Sequence, residues 1–427
     1  MYSRVVSFLD LHQTFFKRQF GFRKSHSTSH TLINIVERIR KTLDEGNFAC
    51  GVFVDLQKAF DTVDHSILIS KLNHYGIRGI ANNWFKSYLS NRSQFVSISS
   101  SKSTIKIIPH GVPQGSVLGP LLFLIYINDL HRAIFSSETF HFADDTHLLH
   151  FNSDLLSLCN RVNRDLRSLQ SWLKANKISL NAGKTEFLIF RHNRKILPFN
   201  PYLKIGGKKI FQSSNIKYLG VLIDPHLNWK AHISLLSNKL ARTNGIISKL
   251  RHYVSTKTLI NVYYALFNSH LQYGCQLWGL TESTISRPIF NLQKKALRLI
   301  TFNNLRCPSS PLFLNLKILK TFDLVKSLNI SFVHKFLNNK LPSDLLDFFE
   351  FRQLEVDGNG NQGTRGAGMK LLFVPTYNTI TFGIKSFTKV AITQWNCLQR
   401  TYPNTDLSLS DLSVVKSLAF DHCLGEY

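Results

Sequence analysis

Apolar residues at Leu32, Ile35, Val36, Ile39 and Leu43 repeat with the 3.6-residue period of a helix, which predicts one over residues 31–43 ending near Gly46. The pattern then changes. Phe48–Val54 is an almost unbroken apolar, β-rich run that suits a strand buried on both faces, and it delivers Asp55 at its end. Residues 80–89 predict a helix, 95–98 with 104–108 a hairpin around a Ser-rich turn, and 118–130 a helix entered through a Gly/Pro-rich loop. Residues 140–142 and 146–149 predict two short strands joined at Ala143-Asp144-Asp145, which puts adjacent acids on a hairpin tip. Leu155, Leu158, Val162, Leu166, Leu169 and Leu173 mark a long amphipathic helix, followed by a strand at 186–190. Two hairpins come next, 202–211 around Gly206-Gly207 and 217–223 as its neighbour. From Trp229 to Ile300 the pattern is helical. The tail is less regular, and its Gly/Asn-rich stretch 357–368 is expected to be a linker or mobile loop.

Composition narrows the partners. The 427 residues are 44% hydrophobic, enough for a large core and for two to four subdomains. Lys and Arg number 52 against 26 acids, a formal charge of +26 that favours a polyanionic partner, nucleic acid or an anionic membrane surface. The longest apolar run, 117–127, is interrupted by Gly119 and Pro120 and is too short to cross a bilayer. Six scattered cysteines show neither zinc-site spacing nor disulfide-scaffold density, so reduced thiols in an intracellular protein of the nucleus or cytoplasm are expected.

A pair of adjacent aspartates is, by itself, most often a solvated turn. Joined by Asp55 at the rim of one sheet, the pair acquires chemistry. Three clustered carboxylates repel one another without cations, and carboxylates are the ligands Mg²⁺ takes in phosphoryl transfer. The surroundings then decide. Phe53-Val54-Asp55-Leu56-Gln57-Lys58-Ala59-Phe60-Asp61, Gly111-Val112-Pro113-Gln114-Gly115-Ser116 and Phe142-Ala143-Asp144-Asp145 stand in the order and rough separation of three reverse-transcriptase palm motifs. Gln19-Phe20-Gly21-Phe22-Arg23 with Ser27-Thr28, Asn181 with Lys184-Thr185, and Tyr218-Leu219-Gly220 extend the match. Over residues 19–224 the chain resembles the reverse transcriptases of non-LTR (LINE-type, jockey-like) retrotransposons.

That resemblance implies an α+β, right-hand polymerase fold: fingers, an antiparallel palm sheet, a mainly helical thumb and a C-terminal region. It implies an RNA-directed DNA polymerase that adds dNTPs to a DNA primer's 3′-hydroxyl on an RNA template. Two Mg²⁺ ions, with Mn²⁺ as a substitute, would serve it, held by Asp55, Asp144 and Asp145. Phe60 would be the steric gate against a ribose 2′-hydroxyl, and Gln114 with Gly115 the loop positioning the nucleotide. Arg23 would grip the triphosphate and Lys184 would neutralise or protonate the departing pyrophosphate. Tyr218, Leu219 and Gly220 would form the primer grip.

The expected divisions are 1–46 partial fingers, 47–225 palm with a fingers insertion at about 66–110, 226–305 thumb and 306–427 C-terminal region. In the thumb, Lys230, Lys239, Arg242, Lys249, Arg251 and His252 suit phosphate contacts along a duplex. In the tail, Asn361, Thr364-Arg365 and Trp395-Asn396 also resemble the segment that follows the thumb in these elements. A ribonucleoprotein with the element's RNA, and no membrane, are further expectations. So is truncation at the 5′ end, since such elements carry an endonuclease and further fingers elements ahead of the polymerase. The alternatives are an inactive remnant that only binds RNA or DNA and, more remotely, a two-metal nuclease.

Overall fold

The computed structural model describes residues 1–280, 283–351, 371–403 and 405–425. They form two compact units, Met1–Thr31 with Asn47–Ile216 and Leu32–Gly46 with Lys217–Tyr427. The first 46 residues, expected as one fingers segment, are thus shared between the two.

The first unit is built on a four-stranded sheet of β1 (Phe48–Val54), β2 (Glu138–Phe142), β3 (Asp145–Asn152) and β4 (Glu186–Phe190) in the order β2-β3-β1-β4. All three pairings are antiparallel. Every residue of β1 is buried, as its unbroken apolar run predicts, because it is central and covered on both faces. Cys50, Val52 and Val54 share a core with Leu148, Phe187 and Ile189 of the flanking strands and with Leu158, Val162, Leu166 and Leu169 of the helix Leu155–Ala175. The helix Leu118–Ile127 enters the same core and is buried nearly all round. It stops three residues before the predicted Leu130. Asn128 is drawn into tertiary bonds, accepting from the Phe16 N–H at 2.8 Å and donating to the Thr14 carbonyl at 2.8 Å.

The hairpin predicted for 95–108 forms with a different pairing. Ser93–Gln94 pairs with Lys106–Ile107 and Ser97–Ile98 with Ser101–Lys102, in two short ladders. Ile98, Ile105 and Ile107 are exposed, so no buried face selects the longer register. The hairpins Tyr202–Phe211 and Ile216–Ile223 form at the predicted places, but as separate two-stranded sheets.

The second unit is helical, with Lys230–Leu250 packed on Ser283–Ile300. Its tail is more regular than the sequence suggests: Thr321–Leu337, Phe387–Thr401 and Leu412–Gly425 are helices. Polar residues buried inside Thr321–Leu337 blur the period. Asn329 accepts from Gln276 and donates to Gln394, and His334 bonds the Ser410 carbonyl. Trp395 is fully buried, and Asn396 clasps the backbone of Leu372 through both its N–H and its carbonyl. The stretch 357–368, with Asn361, Thr364 and Arg365, lies outside the described residues. Among the described residues no helix is long and apolar enough to cross a membrane, and no cysteine is in a disulfide.

Residues 32–46 are an integral part of this unit. From the helix Thr28–Asp44, buried Glu37 accepts the first N–H groups of the helix Phe387–Thr401, from Phe387 and Thr388 at 2.9 Å each. This satisfies donors that a helix start otherwise leaves orphaned. Asp44 does the same for Asn378 and Thr379, and Asp344 accepts from Asn34 and Arg38. Glu37→Ala would strand those N–H groups and the buried Arg40 beside it at 3.9 Å, lowering stability by about 3 kcal/mol. Urea denaturation should show this loss, with the exposed Glu45→Ala as a control shifting by less than about 0.5 kcal/mol.

Candidate active site

Antiparallel register creates the site. Val54 pairs with Thr146, so the next step beyond β1 sets Asp55 opposite Asp145. Phe142 pairs with Asp145, leaving Ala143 and Asp144 as a two-residue turn. Ala143 takes φ +57° and Asp144 does not have positive φ, the pattern of a II′ turn with a residue other than glycine in its strained position. A residue with a Cβ held at such a positive φ costs on the order of 1–3 kcal/mol.

The three carboxylates share one corner and act on one another. Burial, then the charges of Asp144 and Asp55, push Asp145 up to about 6. Asp144 is raised as well, by burial and by Asp55. Asp145 is nonetheless exposed to solvent at the tip and Asp144 half-buried, so the corner is open on one side. Among the described residues no three acidic, histidine or cysteine side chains, these aspartates included, are grouped so that they could hold a metal ion by themselves. The donor set still fits Mg²⁺, which takes hard oxygens and is usually held by one or two carboxylates together with substrate phosphates. Mutual repulsion supplies the drive to bind a cation there.

A second loop braces Asp55. The Asn181 N–H bonds the Asp55 carbonyl at 2.9 Å, the Gln57 N–H bonds Ser179 at 2.8 Å, and the Thr185 hydroxyl accepts the Asp55 N–H at 3.4 Å. Lys184 sits in this turn, its side chain exposed. On the other side, the loop after Asp55 is stitched to the Gly111–Ser116 loop. Val112 donates to Phe60 at 2.9 Å, Gly111 to Val63 at 2.8 Å, and the Gln114 amide to Asp61 at 2.8 Å. Gly111, at φ +89°, approaches Asp61 so closely that a Cβ would stand 2.8 Å from its carbonyl oxygen. Gly115 follows at φ +79°. Phe60 is half-buried, its ring stacked on Phe123 at 4.4 Å and edge-on to Phe22 at 6.3 Å, and so held in place.

Arg23 bonds its own loop: one guanidinium nitrogen donates to the carbonyls of Phe16 at 3.1 Å and Gln19 at 3.3 Å, with Phe15 against its face. Tyr218, Leu219 and Gly220 lie in the second unit. Leu219 and Gly220 form a tight turn with φ +42° and +80°, and the Tyr273 hydroxyl donates to the Leu219 carbonyl. Sequence reasoning assigned no role to Asp61, which ties Gln114, or to Gln19, whose carboxamide bonds the acidic turn. Both lay in plain sight inside matched motifs; only side-chain geometry assigns them partners.

A family model described as Reverse transcriptase (RNA-dependent DNA polymerase) matches residues 1–223. Among curated proteins, the probable RNA-directed DNA polymerase from transposon X-element of Drosophila melanogaster is 28% identical, over 80% of this chain and 40% of that protein. The RNA-directed DNA polymerase from mobile element jockey, of the same organism, is 29% identical over 70% of this chain and 33% of its own length. That from transposon BS is 31% identical over 66% and 32%. The matches therefore span well under half the length of these relatives. Apo telomerase from Candida tropicalis overlaps only loosely, at TM-score 0.41 and 11% identity, over 98% of this chain and 60% of that one.

The raised Asp145 makes stability depend on pH in a stated direction. Its neutral form contributes stability that is fully present below the unfolded carboxyl value near 4 and lost as pH rises through about 6. Without divalent ions, Asp145→Asn should therefore be more stable than the parent at pH 7.5 by about 1 kcal/mol, a figure kept small because water screens an exposed group. Thermal melts in chelator should show that gain shrinking toward zero as pH falls to 4.

Proposed function

Because the chain belongs to the reverse transcriptase family, in its non-LTR, LINE-type branch, we propose that it extends a DNA primer with dNTPs on an RNA template at the corner formed by Asp55, Asp144 and Asp145. Reverse transcriptases use divalent metal ions. The reading rests on one observation: antiparallel pairing sets Asp55 opposite Asp145, with Asp144 next in the chain. Bound there, two Mg²⁺ ions would stabilise the charge that develops on the attacking and leaving oxygens.

The chain's own groups do the rest. Asp55 and Asp144 would be the principal ligands of the metals, with Asp145 as a further ligand beside them. Phe60, held by Phe123, presents a fixed ring to the sugar, so a 2′-hydroxyl collides and a deoxyribose passes. Gln114, tethered through Asp61, and Gly115, bare of a side chain, form the floor under the incoming base. Arg23 meets the triphosphate with the donors its loop carbonyls leave over, and exposed Lys184 gives charge or a proton to the departing pyrophosphate. Tyr218, Leu219 and Gly220 hold the primer end, in a turn fixed by Tyr273. The helices Lys230–Leu250 and Ser283–Ile300 carry basic residues for duplex phosphates, in keeping with the +26 charge. The element's own RNA is the template and partner that this reading implies.

The chain given poly(rA)/oligo(dT), dTTP and Mg²⁺ should incorporate label, and Asp144→Asn should reduce incorporation by at least roughly 10²–10³-fold. Equal silence of both proteins would leave a nucleic-acid-binding remnant, and duplex degradation without dNTPs would point to a nuclease. Phe60→Val should raise ribonucleotide use relative to deoxyribonucleotide use by roughly tenfold or more, measured as a ratio of kcat/KM values.

A further inference from the structure

The segment just before Arg23 runs along the outer edge of the sheet beside β2. Gln19 bridges His141 in parallel, with the Phe20 N–H on the His141 carbonyl at 2.8 Å and the His141 N–H on the Arg18 carbonyl at 2.9 Å. Two residues later the chain turns at Ala143, and backbone pairing cannot follow it. The Gln19 side chain takes over. Its Oε1 accepts from the Ala143 N–H at 3.1 Å and from the Gly21 N–H at 2.9 Å, while Nε2 faces the Ala143 carbonyl at 3.5 Å.

Three features make this a built contact. Gln19 is 3% exposed, so no solvent competes for its carboxamide. Gly21 lies so near that a Cβ would fall 2.2 Å from the Ala143 nitrogen, so the approach requires glycine there. Ala143 is left-handed, a conformation that a residue with a Cβ keeps only where its surroundings over-determine it.

We propose that Gln19 is a positioning residue for the acidic turn: its carboxamide holds Ala143 left-handed and so sets the direction of Asp144 and Asp145. It touches no reacting group and acts only through the turn. A carboxamide suits the task because it offers an acceptor to the N–H and a donor to the carbonyl of one residue. Leucine leaves both unpaired, and glutamate turns an oxygen toward the Ala143 carbonyl and adds a fourth negative charge.

The proposal rests on the polymerase reading only for its activity arm, so the first measurement is Mn²⁺ binding to the full chain without nucleic acid, read by electron paramagnetic resonance. The part lost in Asp144→Asn defines the site. Gln19→Leu should weaken that part about tenfold, the usual scale for removing an outer support of metal ligands. Adding Ala143→Gly should recover most of the loss, because glycine takes the left-handed conformation freely. In primer extension the same Gln19→Leu should lower kcat while the dNTP KM stays within about twofold. Should Gln19→Leu not fold, Gln19→Asn, one methylene too short to reach, carries the test with the same recovery.

Unchanged Mn²⁺ binding in these variants would overturn the proposal, as would a loss that Ala143→Gly does not relieve, or a parent chain with no Asp144-dependent binding. Asp144-dependent binding without primer extension would end the polymerase reading and leave Gln19 to be judged by Mn²⁺ alone.

Discussion

Three carboxylates are held at one corner of a sheet by antiparallel register, and the rest of the first unit is arranged around the cost of doing so. Burial at the end of β1 and the start of β3, and then the like charges gathered there, oppose ionisation and lift Asp145 to about 6. Nothing in folding favours that corner. It survives because β1 is buried along its whole length and paired on both sides, so the register cannot slip without turning its apolar residues outward. A bound cation would relieve the repulsion there.

Around this corner, backbone stands in for side chains. Asp55 is gripped through its own carbonyl and N–H by the 181–185 turn, and the Phe60 loop through carbonyls by the Gly111–Ser116 loop. Main-chain bonds of this kind fix the Asp55 and Phe60 segments without using the Asp55 carboxylate. Asp61, Gln114 and Gln19 complete them where the backbone bends too sharply to pair with itself. The same solution recurs in the second unit, where Tyr273 reaches the carbonyl of the Leu219 turn.

The second unit also shows how poorly order along the chain measures proximity. Glu37 and Asp44 come from an early helix, yet they cap segments that begin more than 300 positions later. Buried acids that accept several N–H bonds are costly to separate from them, and the C-terminal helices and residues 32–46 belong to one compact unit. A division drawn from motif order has no access to such links, because neither partner carries a local sign of the other.

The local sequence by itself determined a good deal. The unbroken apolar run of β1, the amphipathic helix from Leu155, the Gly-Gly hairpin and a hairpin at the adjacent acids each depend on neighbours in the chain and formed where expected, although Asp145 belongs to the second strand and only Ala143 and Asp144 make the turn. Likewise, the ordered motifs were enough to point to the family that the comparisons establish. Tertiary structure alone decided the rest: the short ladders of the exposed 93–107 hairpin, the end of the helix at Ile127, the regular helices of the tail and the attachment of residues 32–46. It also decided that Gln19 meets Ala143. These outcomes turn on burial and on hydrogen bonds between residues far apart in the chain, and periodicity carries information only about residues within a few turns of one another.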